Sequence, residues 1–323
     1  MGDKILKKVE NYMLPVSIII SVAMLSGAIM YTAKLKTERG PQITDKIVTE
    51  ENTSLLEESV LSSDGVILPV TWGDIGAKLV SVGAIDKDKF VAIYEERGTF
   101  TDEYKKLLFG KNDERLKITN ENVGYLLNLF WALGLANKNE ILESGEMSNP
   151  SYGGAGNFAS TGGWTMSRGD SMEHYSRHKF FNLTDDQQTL VEKVSRGIYR
   201  PCCGNSVHFP DCNHGMAMLG LLELMASQGA SEEDLWKTSL VVNSYWFPDI
   251  YTTIATYMKD RGILWNDVDP QEILGIDFSS AQGFAKISAQ VNVPARSQKG
   301  GGCDIVTGQI NPAEQKQQSG CGV

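Results

Sequence analysis

Apolar residues recur at helical spacing through most of the chain between residues 66 and 275, broken at intervals by small or polar residues that cap helices. Thr71 precedes WGDIGAKLVSV, with Asp74 three residues on in the arrangement of a capping box and Gly83 as the stop. Asp86 opens KDKFVAIYEER, closed by Gly98, and Thr101 opens DEYKKLLF, closed by Gly110. Thr119 or Asn120 opens ENVGYLLNLFWALGLA, where Leu126, Leu127, Phe130, Trp131 and Leu135 predict a core helix. Asn128, among those apolar neighbours, is expected to bond the backbone. SMEHYSRHKFF reads as a short helix. Thr184 caps TDDQQTLVEKVSRGIY, with Leu190, Val191, Val194 and Ile198 on one face. GMAMLGLLELMASQG predicts a buried helix ending at Gly229, and Ser231 with Asp234 begins SEEDLWKTSLVVNSYWF. Pro248 interrupts, and DIYTTIATYMKD continues to Gly262. SSAQGFAKISAQVNV reads as one or two short strands.

The segments outside this body differ in kind. Leu14 to Ala33 carries no charge, and 20 helical residues span about 30 Å, the thickness of a bilayer core. It is expected to be an uncleaved transmembrane anchor; the alternative is a signal peptide cleaved near Ser26-Gly27-Ala28. Residues 1–13 form a short N-terminal segment and residues 34–65 a polar tether, with a short helix around Ser54 to Leu61. Residues 276–323 hold the short strands and then a polar, Gly-rich tail, expected to be disordered, that carries Cys303 and Cys321. Lysines flank the apolar run on both sides, so the charge bias is nearly even, and the globular part is placed outside the cytoplasm on the short N-terminus alone. The expected architecture is mostly α: a helical globular domain with a Cys/His-rich loop between helices, after an N-terminal transmembrane helix. Membrane lipid is one expected partner. A net charge of −10 excludes nucleic acid, which requires a basic face.

Candidate chemistry is concentrated in RPCCGNSVHFPDCNHGMAM, Arg200 to Met218, which holds three of the five cysteines and two of the four histidines. Cys202, Cys203, His208, Cys212 and His214 are soft or borderline ligands on a loop stiffened by Pro201 and Pro210. His174 and His178, four residues apart, would project from one face of a helix. Thiolate and imidazole together suit a tetrahedral transition metal, zinc ahead of copper. Adjacent Cys202 and Cys203 do not readily share one ion, so the expected set is one of that pair with Cys212, His214, and either His208 or one of His174 and His178. Met216 and Met218 would suit Cu(I) but read more simply as core. Thiol–disulfide exchange is the second reading: Asp211 as N-cap would put Cys212 in the first turn of a helix, where the macrodipole favours thiolate. A disulfide staple between Cys212 and Cys202 or Cys203 is the third, and the histidines rank it last. Cys303 and Cys321 could exchange metal or disulfide with a protein partner or the cluster. The Gly-rich SYGGAGNFASTGG, Ser151 to Gly163, lacks the lysine spacing of a phosphate loop and reads as a surface loop.

TWGDIGAKLVSVGAID, LLNLFWALGLANKN, GNFASTGGWT and the RPCCGN…FPDCNHG signature resemble an uncharacterised group of single-span, membrane-anchored bacterial proteins, over about Ile67 to Gly275. The resemblance implies an anchor and brings no activity. A fainter similarity is to cytochrome c maturation subunits that carry a reactive cysteine pair, where a cysteine loop leads into a helix, a glycine and an acidic helix start; another is to exported lipoproteins with a Pro-Cys-rich loop. The first implies a thiol-disulfide or haem-handling accessory role. This chain departs from both in having no Cys-x-x-Cys and in adding Cys212-Asn213-His214.

Overall fold

The computed structural model describes residues 54–291. The expected membrane anchor Leu14–Ala33, most of the tether, and Cys303 and Cys321 lie outside the described residues. Among the described residues no helix is long and apolar enough to cross a membrane. The elements below belong to one compact unit that begins at Leu56. That unit is mostly helical.

Two helices make its centre: α4 (Val123–Ala136) and α7 (Asn213–Ser227). Each is apolar around nearly its whole circumference, and each is buried almost throughout, as such a helix must be. They approach through glycine. A Cβ on Gly134 would stand 2.1 Å from the Met216 carbonyl oxygen, and one on Gly220 would stand 2.4 Å from that of Phe130. Only the missing side chains let the backbones come this close.

Around this pair sit shorter amphipathic helices whose starts follow their caps. The Asp86 side chain accepts from the backbone of Asp88 and Lys89 to start α2 (Lys87–Glu96), and Thr101 does the same for α3 (Asp102–Phe109). Two reciprocal capping boxes, Thr184 with Gln187 and Ser231 with Asp234, open α6 (Asp185–Gly197) and α8 (Glu232–Trp246). Pro248 stands in the first turn of α9 (Pro248–Lys259), where its missing N–H costs nothing. Helices α6 and α8 both pack on α7, and so flank the loop that joins α6 to α7.

Several expectations are corrected. The segment after Thr71 is not yet helix: Val66–Gly73 forms strand β1, paired antiparallel with β2 (Asn112–Ile118), and α1 (Ile75–Val82) starts only after Asp74, whose side chain makes no cap bond. Gln228, just past the end of α7, accepts from the Thr71 amide at 3.0 Å and donates to its carbonyl at 2.7 Å, so its side-chain amide occupies the place of a third strand. Helix α4 starts at Val123, after Thr119 and Asn122 have turned the chain. Asn128 donates to the Tyr94 hydroxyl at 2.7 Å and not to the backbone. SMEHYSRHKFF gives only a 3-10 turn, Ser171–Glu173; Ser176 adopts φ 50°, a left-handed conformation that ends it. Among the described residues, the segment after Gly275 holds no strand. It forms α11 (Ile276–Ser279) and α12 (Ala281–Ser288), the latter opened by Ser280.

Candidate metal centre

The loop from Ile198 to Cys212 closes on itself before α7 begins. Val207 donates to the Ile198 carbonyl at 2.8 Å, and Cys203 to that of Arg200 at 3.2 Å, so Arg200-Pro201-Cys202-Cys203 is a turn. Arg200 is the post around which the loop wraps. Its side chain is fully buried, and Nη2 donates to the carbonyls of Asn205, Ser206 and Phe209 and to Asp211 Oδ1 at 2.8 Å. Asp211 Oδ2 takes the Asn205 side-chain amide at 2.8 Å. Gly215 makes room for this: a Cβ there would fall 1.4 Å from Arg200 Nη1.

Asp211 is therefore committed to Arg200, and Cys212 takes the N-cap position in extended conformation, with Asn213 as the first helical residue. That corrects the expectation of Asp211 as cap. Cys202 and Cys203 also converge, against the expectation that adjacent cysteines diverge, because the turn at Arg200 folds both side chains towards the start of α7. Cys202, Cys203 and Cys212 have their sulfurs all within 4.8 Å of one another, and only Cys202 is more than slightly exposed. Cys202 Sγ and Cys212 Sγ stand 3.6 Å apart, a contact and not a bond.

This triad can hold a metal ion. Three thiolates around one ion at about 2.3 Å in a tetrahedron would place sulfurs about 3.8 Å apart, close to the Cys202–Cys212 spacing. The electrostatics suit thiolate. Hydrogen bonds from Cys202 and Cys212 hold the Cys203 thiol far below its ordinary range, with the Arg200 charge adding to them against the cost of burial. At Cys212 the bond from Cys202 pulls down but is outweighed by donation to Cys203 and by burial, which push its thiol up to about 12. The Cys203 proton thus leaves readily, and the Cys212 proton is retained until a cation replaces it. Arg200 Nε and Nη1, both enclosed, have no partner within the protein.

The four histidines separate. His214, two residues past Cys212, packs its ring on Phe247 at 4.5 Å and Trp246 at 5.5 Å, and its Nδ1 is enclosed without a partner. Burial and the Arg200 charge push its imidazole down to about 3, so it stays neutral. It falls outside the group within 4.8 Å. His208 turns away: its Nδ1 meets Glu146 Oε2 at 3.1 Å, and its amide bonds the Ser195 carbonyl. His174 and His178 pair with each other, Nδ1 to Nε2 at 3.1 Å, while His174 Nε2 meets the Arg168 carbonyl at 3.0 Å. Met216 and Met218 are fully buried in the core.

Sequence reasoning passed over Arg200 and Asp211 as a pair. The signal was present, since Arg200 stands two residues before Cys202 and Asp211 directly before Cys212, but an Arg–Asp contact across a loop has no periodicity to announce it. No family model, no curated protein and no solved structure matches this chain.

Proposed function

We propose that the protein is a transition-metal-binding protein whose site is a thiolate triad, Cys202, Cys203 and Cys212, closed by His214 Nδ1. The observation that carries this is the convergence of three sulfurs beside a buried guanidinium. His214 completes the set by a swing of its ring, and a metal bond would answer an otherwise orphaned, enclosed nitrogen. The unpaired Nε–H and Nη1–H of Arg200 would then donate to thiolate sulfur, offsetting its negative charge. Three sulfurs with one nitrogen favour zinc. Copper loses its main support, because the thioethers of Met216 and Met218 are packed in the core. A four-ligand set leaves no open position, which suits structural or stored metal over catalysis. The apolar run Leu14–Ala33 supports a membrane-anchored, extracytoplasmic setting, and Cys303 and Cys321 would be the thiols for exchange with a partner. His208, His174 and His178 have no part in the set, each nitrogen contact above being within the protein.

Elemental analysis of protein purified without an affinity tag tests this reading. The expected result is one zinc per chain, lost in Cys202→Ser, Cys203→Ser and Cys212→Ser. His214→Ala should keep the metal but weaken its retention by at least about tenfold. Zinc, copper and iron all far below stoichiometry would overturn it.

A further inference from the structure

We infer that the same site is an oxidation-gated release device, in which a hydroperoxide joins Cys202 to Cys212 and so dismantles the metal centre. This rests on the metal reading above and adds its regulation. Cys202 Sγ and Cys212 Sγ are 3.6 Å apart with no bond between them. Cys202 is the half-buried member of the triad, while Cys203 and Cys212 are 7% and 2% exposed, so a small oxidant meets Cys202 first. A bond from Cys202 to its neighbour would be strained. Adjacent α-carbons across a trans peptide stand about 3.8 Å apart, below the roughly 4.4 Å at which disulfides begin. No cis peptide occurs among the described residues. Cys212, held by the start of α7, is the partner the geometry supplies.

The step balances. The Cys202 thiolate attacks a peroxide oxygen; the O–O bond breaks, and the leaving oxygen takes a proton and departs as water or an alcohol. Cys202 becomes a sulfenic acid. The Cys212 thiolate attacks that sulfur, the S–S bond forms, and hydroxide takes a second proton and departs as water. Two electrons pass from the two sulfurs to the peroxide. Of the residues that would hold the metal, only Cys203 and His214 would then remain as ligands. A dithiol reductant would break the S–S bond by exchange and return the Cys202 and Cys212 thiols.

The experiment treats zinc-loaded full-length protein with hydrogen peroxide, follows zinc with a chromogenic chelator, and maps disulfides by mass spectrometry after alkylation. The expected result is zinc release in step with a Cys202–Cys212 disulfide, reversed by reductant and fresh zinc. Zinc release without that bond, a disulfide from Cys202 to Cys303 or Cys321, or persistence of zinc and thiols would overturn the inference. Protein that carries no zinc from the outset but still forms the Cys202–Cys212 bond would overturn the metal reading and uphold the pairing. Because the mapping is done on the wild-type chain, no outcome depends on a variant folding.

Discussion

Arg200 Nη2 lies 2.8 Å from Asp211 Oδ1, and this ion pair, fully buried on the arginine side, ties the start of the cysteine loop to its end. The same nitrogen serves three loop carbonyls, so the guanidinium does the work that regular secondary structure does elsewhere. Replacing it takes one donor each from the Asp211 carboxylate and three carbonyls, and leaves the half-buried carboxylate without its countercharge. Arg200→Met should therefore cost about 3–5 kcal/mol of stability. Urea denaturation of the metal-free protein measures this.

Glu223 sits near the far end of α7, fully buried, with Oε2 on the Asn137 side-chain amide at 2.8 Å and Oε1 without a partner. Burial holds its carboxyl well above the usual 4.5, against the bonds from Asn137 and Asn139 that pull the other way. The folded state thus keeps a proton that the unfolded state gives up. Stability from this group is greatest below about pH 4.5 and falls as pH rises above it. Glu223→Gln should flatten that slope and leave the protein more stable at neutral pH, with little change near pH 4. Denaturation midpoints from pH 4 to 8 show whether it does.

The crossing of α4 and α7 gives a matched pair of glycine substitutions. Gly220→Ala places a methyl 2.4 Å from the Phe130 carbonyl oxygen, and should destabilise by about 1–3 kcal/mol as the helices part. Gly124→Ala, in the first turn of α4 with nothing within 4 Å, should stabilise by up to about 1 kcal/mol. Thermal unfolding of the two variants should shift in opposite directions.

Gln228 holds the outer edge of β1 through the amide, hydroxyl and carbonyl of Thr71. Gln228→Ala removes these bonds and should cost about 1–2 kcal/mol. Faster amide exchange at Thr71 would locate the effect at the strand edge and not in the core.

Where the cause of an element is local, the amino-acid sequence shows it. The caps at Asp86, Thr101, Thr184 and Ser231 are each satisfied within three residues, and each starts a helix where expected. Strand β2 reads NDERLKI, too charged to show a period of two, and forms because Leu116 and Ile118 face the core beneath it. The last helix reads as strand in the sequence because its buried set is small, Gly283 and Ile287 alone. Asn128 and Tyr94 are 34 residues apart, and nothing near either names the other. The site divides the same way. Crowding of cysteine in one loop was visible in composition and spacing. Which sulfurs converge was not, because it depends on the turn at Arg200 and on the buried charge that fixes it.

The most direct measurement is X-ray absorption at the zinc edge of the purified protein. A shell of three sulfurs at about 2.3 Å with one nitrogen at about 2.0 Å is the result expected. A shell of nitrogen and oxygen alone would contradict the account.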